Sequence, residues 1–109
     1  MAFTVLLTAD AVTDLKDLYT YISNHDSPKK ADYVLDRIEE KFISLSELPE
    51  RGGYPKELLS LGIRDYREVF FKPYRIMYRI DNENVYVYLI VDGRRDMQTL
   101  LQRRILGAL

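Results

Sequence analysis

Between Tyr66 and Val91 the chain runs through three strand-forming segments joined by links too short for anything but reversals. Tyr66 to Phe71, Tyr74 to Ile80 and Val85 to Val91 are rich in Val, Ile, Tyr and Phe. Lys72-Pro73 makes the first turn, where proline presets φ, and Asp81-Asn82-Glu83-Asn84 makes the second. Links of this length force neighbouring strands to run antiparallel, so the second half is a meander.

The first half is helical. A short apolar run from Phe3 to Leu7 suits a first strand. Thr8 is an N-cap with Asp10 near the positive end of the helix dipole. Ala9, Val12, Leu15, Leu18, Tyr19 and Ile22 then recur every three or four residues. Ser23 to Asp26 breaks that helix, and Ser27-Pro28 starts another as an N-cap followed by proline. Ala31, Val34, Leu35, Ile38, Phe42, Leu45 and Leu48 continue the spacing up to Pro49. Two helices with a short polar link make a helical hairpin. Glu50 to Pro55 reads as a loop, and Lys56 to Gly62 reads equally as a helical turn or an extended linker. Asp96 is placed to cap a last helix carrying Met97, Leu100, Leu101 and Ile105, with a further apolar stretch at Leu106 and Leu109.

Plain alternation sorts the sheet into faces. Tyr74, Ile76, Tyr78 and Ile80 share one side of the second meander strand, and Arg75, Met77 and Arg79 the other. On the third strand Val85, Val87, Leu89 and Val91 should meet the helices, with Tyr86, Tyr88 and Ile90 pointing away. The expected architecture is α+β, a half-open antiparallel sheet on a helical hairpin, in one domain spanning 1–109.

Charge is divided along the chain. Residues 1–62 hold 7 Lys+Arg against 11 Asp+Glu, net −4, and residues 63–109 hold 9 against 6, net +3. Eight of the nine basic residues in the second part are arginine, the side chain suited to forked contacts with carboxylate or phosphate. The overall charge of −1 gives no general pull toward nucleic acid. The absence of cysteine excludes disulfides and thiolate chemistry. The N-terminal MAFTVLL has no basic leader and too short an apolar run for a membrane span, so a cytoplasmic protein without membrane partners is expected.

The candidate site is the arginine face. Arg75 and Arg79 lie four residues apart on one side of a strand, roughly 13 Å. Arg67 is expected across from them, Tyr86 and Tyr88 beside them, and Arg94 and Arg95 where the third strand ends. Such a surface suits phosphates or carboxylates. The alternative is a set of solvated arginines stacked on tyrosines, with Glu68 and Asp96 as local partners. His25, the one histidine, sits in the inter-helix link beside Asp26 and is more readily structural than catalytic. No metal-ligand spacing is present, Gly52-Gly53-Tyr54-Pro55 does not open a phosphate loop, and no cofactor is expected. A nuclease using the ribose 2′-hydroxyl needs a base, cations and an acid. Arg67, Arg75 and Arg95 supply cations and Glu68 a base. Met97, Gln98, Leu100 and Leu101 supply no acid.

The segments RDYREVFFKPYRIMYRI and VDGRRD, preceded by YISNHDSPKKADYVLDRIEEKFISLSELPERG, resemble the RelE/ParE superfamily of type II toxin–antitoxin toxins. Within it they are similar to the ParE-like branch, which includes plasmid stabilization proteins. The resemblance covers nearly the full length. It implies a β-αα-βββ fold and a growth-inhibiting toxin held in check by a cognate antitoxin, in a hetero-oligomeric complex. RelE-like members cleave ribosome-bound mRNA; on that pattern Arg75 and Arg95 match two basic positions and Arg67 roughly matches a lysine. The terminal Tyr or His acid falls at about Leu101 and is missing, as is a second sheet lysine. ParE-like members instead bind DNA gyrase, without chemistry of their own. The resemblance therefore leans toward gyrase inhibition, with Arg67, Arg75, Arg79, Tyr86, Tyr88, Arg94 and Arg95 as contacts to target or antitoxin. Endoribonuclease action on the ribosome and its mRNA is the alternative.

Overall fold

The computed structural model describes residues 2–105; the terminal apolar residues Leu106 and Leu109 fall outside them. Strand β1 (Thr4–Leu7) leads into helix α1 (Ala9–His25), which turns back as α2 (Pro28–Ile43) and a short 3-10 turn at Ser44–Ser46. One helical turn, α3 (Lys56–Leu59), precedes the meander β2 (Arg67–Phe71), β3 (Tyr74–Asp81) and β4 (Asn84–Asp92), and α4 (Met97–Arg104) closes the described chain.

The helix starts are fixed by local chemistry. The Thr8 hydroxyl accepts from the Ala11 amide at 3.2 Å, Ser27 from Lys30 at 3.0 Å with Pro28 in the first turn, and Asp96 from Thr99 at 3.2 Å. Helix α1 runs on to His25 before Asp26 ends it, so the break expected from Ser23 is a cap three residues later.

The sheet order is β1-β4-β3-β2. The meander is antiparallel, and β1 joins it parallel to β4, with Thr4 to Leu7 opposite Asn84 to Val87. The helical hairpin supplies the connection that a parallel neighbour requires. The pair α1–α2 covers one face through Ala11, Ile22, Ala31, Val34, Ile38 and Phe42, which pack on Val69, Ile76, Tyr78, Val85, Val87 and Ile90. Each large aliphatic buried there contributes roughly 1.5–3 kcal/mol relative to exposure.

The other face is not half-open. Leu58 of α3 and Met97, Leu100 and Leu101 of α4 cover Met77, Leu89 and Val91 to make a second core. Simple alternation misplaces Leu89, Val91 and Ile90 because the ladder slips by one residue. Met77 pairs with Leu89 but Tyr78 pairs with Val87, so Tyr88 is an extra residue in β4. A bulge of this kind inverts the facing of every residue beyond it.

Strand β1 stops at Leu7, opposite Val87, leaving the outer edge of β4 without a strand neighbour beyond that point. Side chains replace it. The Ile90 amide donates to Asp14 Oδ2 at 3.0 Å, and Arg104 Nη1 donates to the Tyr88 carbonyl at 3.2 Å and to Asp14 at 3.1 Å. A second contact from Arg104 Nη2 completes a forked pair with the buried Asp14, joining α1, β4 and α4. Replacing Asp14 with alanine leaves the Ile90 amide and the Arg104 guanidinium without their acceptor. Asp14→Ala should lower the unfolding free energy in urea by about 3 kcal/mol, whereas exposed Asp17→Ala should change it by less than about 0.5 kcal/mol.

Candidate functional site

Arg75 is the centre of the arginine set, and it is buried, with 7% of its surface exposed. It rises from β3 on the face of the second core. Its Nε donates to Glu68 Oε1 at 2.8 Å; Nη1 and Nη2 each donate to one oxygen of Glu57 at 2.8 Å. Nη2 also lies 2.7 Å from Glu68. Glu68 comes from β2, diagonally across from Arg75, and Glu57 from α3, eighteen residues away along the chain. The expectation that Arg75 lies free on an open face is thus corrected: α3 folds over it and brings a second carboxylate. The aliphatic stem packs under Gly93, where a Cβ would come within 2.6 Å of Arg75 Cδ. The turn between β4 and α4 is therefore seated directly on this side chain.

The three charges shape one another. The hydrogen bonds from Arg75 hold the Glu57 carboxyl below its usual range. Burial pushes Glu68 up, against the pull of the same guanidinium. The Glu57 contact, above all, holds Arg75 above its ordinary value. Glu68, the candidate base, spends its carboxylate on Arg75 and is buried.

Arg67 does not lie across from Arg75. It pairs with Tyr78 and so falls on the helix face of β2. There it donates to the Gly52 carbonyl at 2.8 Å and stacks on Tyr54, 4.7 Å from the ring centre. Together with the Tyr78 hydroxyl, which donates to the Pro49 carbonyl at 2.6 Å, it pins the loop after α2. Gly52 permits this approach, since a Cβ would meet the Glu68 carbonyl oxygen at 2.5 Å.

Arg79, Arg94 and Arg95 are exposed. Arg79 leans on the Tyr66 hydroxyl, which with nearby charge holds it above its usual range. Arg94 forks onto Asp92 and draws that carboxyl down. Arg95 has no carboxylate within 4.0 Å among the described residues. Tyr88 is half-buried, edge-on to Tyr66, and Tyr86 is half-buried near Asn84. Arg94 and Arg95 border a depression of about 540 Å³ between α1 and the open end of β4, with Leu18, Tyr21, Tyr74 and Ile90 in its walls. Among the described residues no group of three His, Asp or Glu is placed to hold a metal, and no helix is long and apolar enough to cross a membrane.

This arrangement of strands, helical hairpin and arginines has relatives. Residues 5–97 match the family model described as the ParE toxin of the type II toxin–antitoxin system parDE. The chain belongs to the ParE toxin family. It is a type II toxin of the wider RelE/ParE group. Toxin ParE3 of Caulobacter vibrioides is 30% identical over 100 residues, spanning 92% of this chain and 96% of the relative. A chain of the chromosomal ParDE system of P. aeruginosa superposes with a TM-score of 0.71 at 20% identity, over 84% of this chain and 96% of that one. A chain of the RelBE2 toxin–antitoxin complex of Mycobacterium tuberculosis reaches 0.55 at 26% identity, over 84% and 92%. These likenesses support the β-αα-βββ fold with its short C-terminal helix.

Within this ParE-family toxin the sequence-derived arginines do not form one patch. Arg75 is a strut, Arg67 fastens a loop, Arg79 faces one end of the sheet, and Arg94 and Arg95 the other. Glu57 and Arg64, absent from the sequence-derived set, are drawn in by tertiary contacts: Glu57 by Arg75, Arg64 as a wall of a second depression. Tyr21, also absent from that set, lies off the apolar spacing of α1 and lines the first depression.

Removing Arg75 leaves the buried Glu68 and the half-buried Glu57 as neighbouring anions without their cation. Arg75→Ala should cost roughly 3–5 kcal/mol in urea unfolding. The pH dependence has a definite sign. A carboxyl held low in the folded state stabilises above its ordinary value, 4.5 for Glu57, and loses that contribution as pH falls through the folded value. Glu68, held high, has the opposite slope and loses stability as pH rises through its folded value. Glu57→Gln should therefore flatten the acid-side decline in Tm below pH 4.5 relative to the parent protein.

Proposed function

We propose that this ParE-family toxin binds DNA gyrase in the cytoplasm and blocks its supercoiling, and that a cognate antitoxin neutralises it by binding. The observation that carries the reading is the Glu57–Arg75–Glu68 triad. In a nuclease the sheet arginine must face a phosphate and the neighbouring carboxylate must be free to take a proton. Here each is the other's partner, beneath α3. The likeness to Toxin ParE3 and to the ParDE chain points the same way.

Contact then falls to the exposed residues. Arg95, without a carboxylate partner among the described residues, and Arg94 border the depression beside Tyr21 and Tyr74. Two guanidinium groups beside aromatic walls are the side chains on which protein interfaces concentrate their binding energy. Arg75 acts beneath them as a positioning residue, because the Gly93 turn that presents both arginines rests on its stem.

The purified toxin should inhibit supercoiling by gyrase and leave mRNA intact on programmed ribosomes. Arg95→Glu should weaken that inhibition by about tenfold or more, consistent with loss of one interface arginine of about 1.4 kcal/mol, with an unchanged Tm. Site-specific mRNA cleavage without an effect on gyrase would establish the endoribonuclease alternative instead.

A further inference from the structure

A second depression, about 520 Å³, opens at the other end of the sheet. It lies where β3 runs on past the first residue of β2: Arg67 pairs with Tyr78, and β3 continues to Asp81. Phe3, Pro49 and Ile80 give it apolar walls, and Arg64, Arg67 and Arg79 give it a cationic rim. Arg67 is engaged by the Gly52 carbonyl and lies 3.8 Å from Glu50. Arg64 and Arg79 are different: both are exposed, and neither has a carboxylate within 4.0 Å among the described residues. Two guanidinium groups without ionic partners thus converge on one hollow that also offers apolar surface.

We propose that this hollow receives an acidic segment of a partner protein, its carboxylates on Arg64 and Arg79 and an apolar side chain against Phe3 and Ile80. Forked carboxylate recognition is what guanidinium geometry does best. The surroundings favour a peptide over a nucleic-acid backbone. Glu50 and Asp65 line the same hollow, and Asp81 and Glu83 stand in the adjoining turn. A phosphodiester chain carries charge at every step and would be repelled by these carboxylates, whereas a peptide can place its charges only where the arginines are. Arg79 is held chiefly by the Tyr66 hydroxyl, and Asp65 acts on it at longer range as a competing charge.

The site is separate from the Arg94–Arg95 depression. The two share no lining residue, and Tyr74 and Ile80 lie roughly 20 Å apart along β3. The proposal therefore stands or falls independently of gyrase.

Fluorescence anisotropy with the full-length toxin tests it, using a labelled octapeptide of alternating glutamate and leucine. The lysine–leucine counterpart and a labelled single-stranded DNA oligonucleotide are the comparison probes. The acidic peptide should bind, salt should weaken it, and the basic peptide should not bind. The Arg64→Ala/Arg79→Ala double variant should weaken binding by about tenfold or more at an unchanged Tm, since both side chains are exposed. Asp65→Asn should strengthen binding by relieving a competing charge. Equal binding by the double variant, no binding of the acidic peptide at millimolar concentration, or DNA binding that depends on the same two arginines would each overturn the proposal.

Discussion

The contact of Arg75 with two carboxylates governs more of this molecule than any other single interaction. Removing three charges from water costs several kcal/mol per ion, and the arrangement holds only because the guanidinium nitrogens find oxygens in good geometry. Once made, it fixes three segments that sequence places far apart: the single turn α3, the edge strand β2 and the central strand β3. It brings α3, with Leu58, over the second core. It also sets the height of the Gly93 turn, and so the direction in which Arg94 and Arg95 leave the sheet. The outward-facing cations depend on the inward-facing one.

What the sequence made legible follows from the range of each interaction. Thr8, Ser27-Pro28 and Asp96 act within three residues, so their helix starts could be read directly. The meander was legible because its links are too short for any other outcome. The Tyr88 bulge was not, because a two-against-one pairing leaves no local signature: Tyr88 and Leu89 are both ordinary strand residues. Every facing assignment beyond it, including those of Leu89, Ile90 and Val91, inherits that one slip. Glu57 escaped notice for a related reason. It lies in a segment without periodicity, and its partner is eighteen residues away. Arg67 was assigned to the wrong side because its face depends on pairing with Tyr78, not on its own neighbours.

The family likeness agreed with the order of elements read from spacing and turns, yet it transferred positions more securely than environments. The strand arginine expected to be a solvent-facing cation is, in this chain, a buried strut between Glu57 and Glu68. One scaffold can serve different activities because such changes cost the backbone nothing and alter which side chains reach solvent. The members of the arginine set are chemically alike and physically unlike: one braces, one fastens, and three face outward from two ends of the sheet.

The Asp14–Arg104 bridge has a further consequence for the sheet's edge. An uncovered sheet margin is a template onto which stray strands can add, the usual beginning of aggregation. Along the far half of β4 the Ile90 amide and the Tyr88 carbonyl are already occupied by side chains, and on β2 the Gly53 carbonyl takes the amide of Glu68. Part of each margin is thus blunted without adding a strand, which discourages runaway stacking of copies while leaving the arginine-bordered hollows open to other molecules.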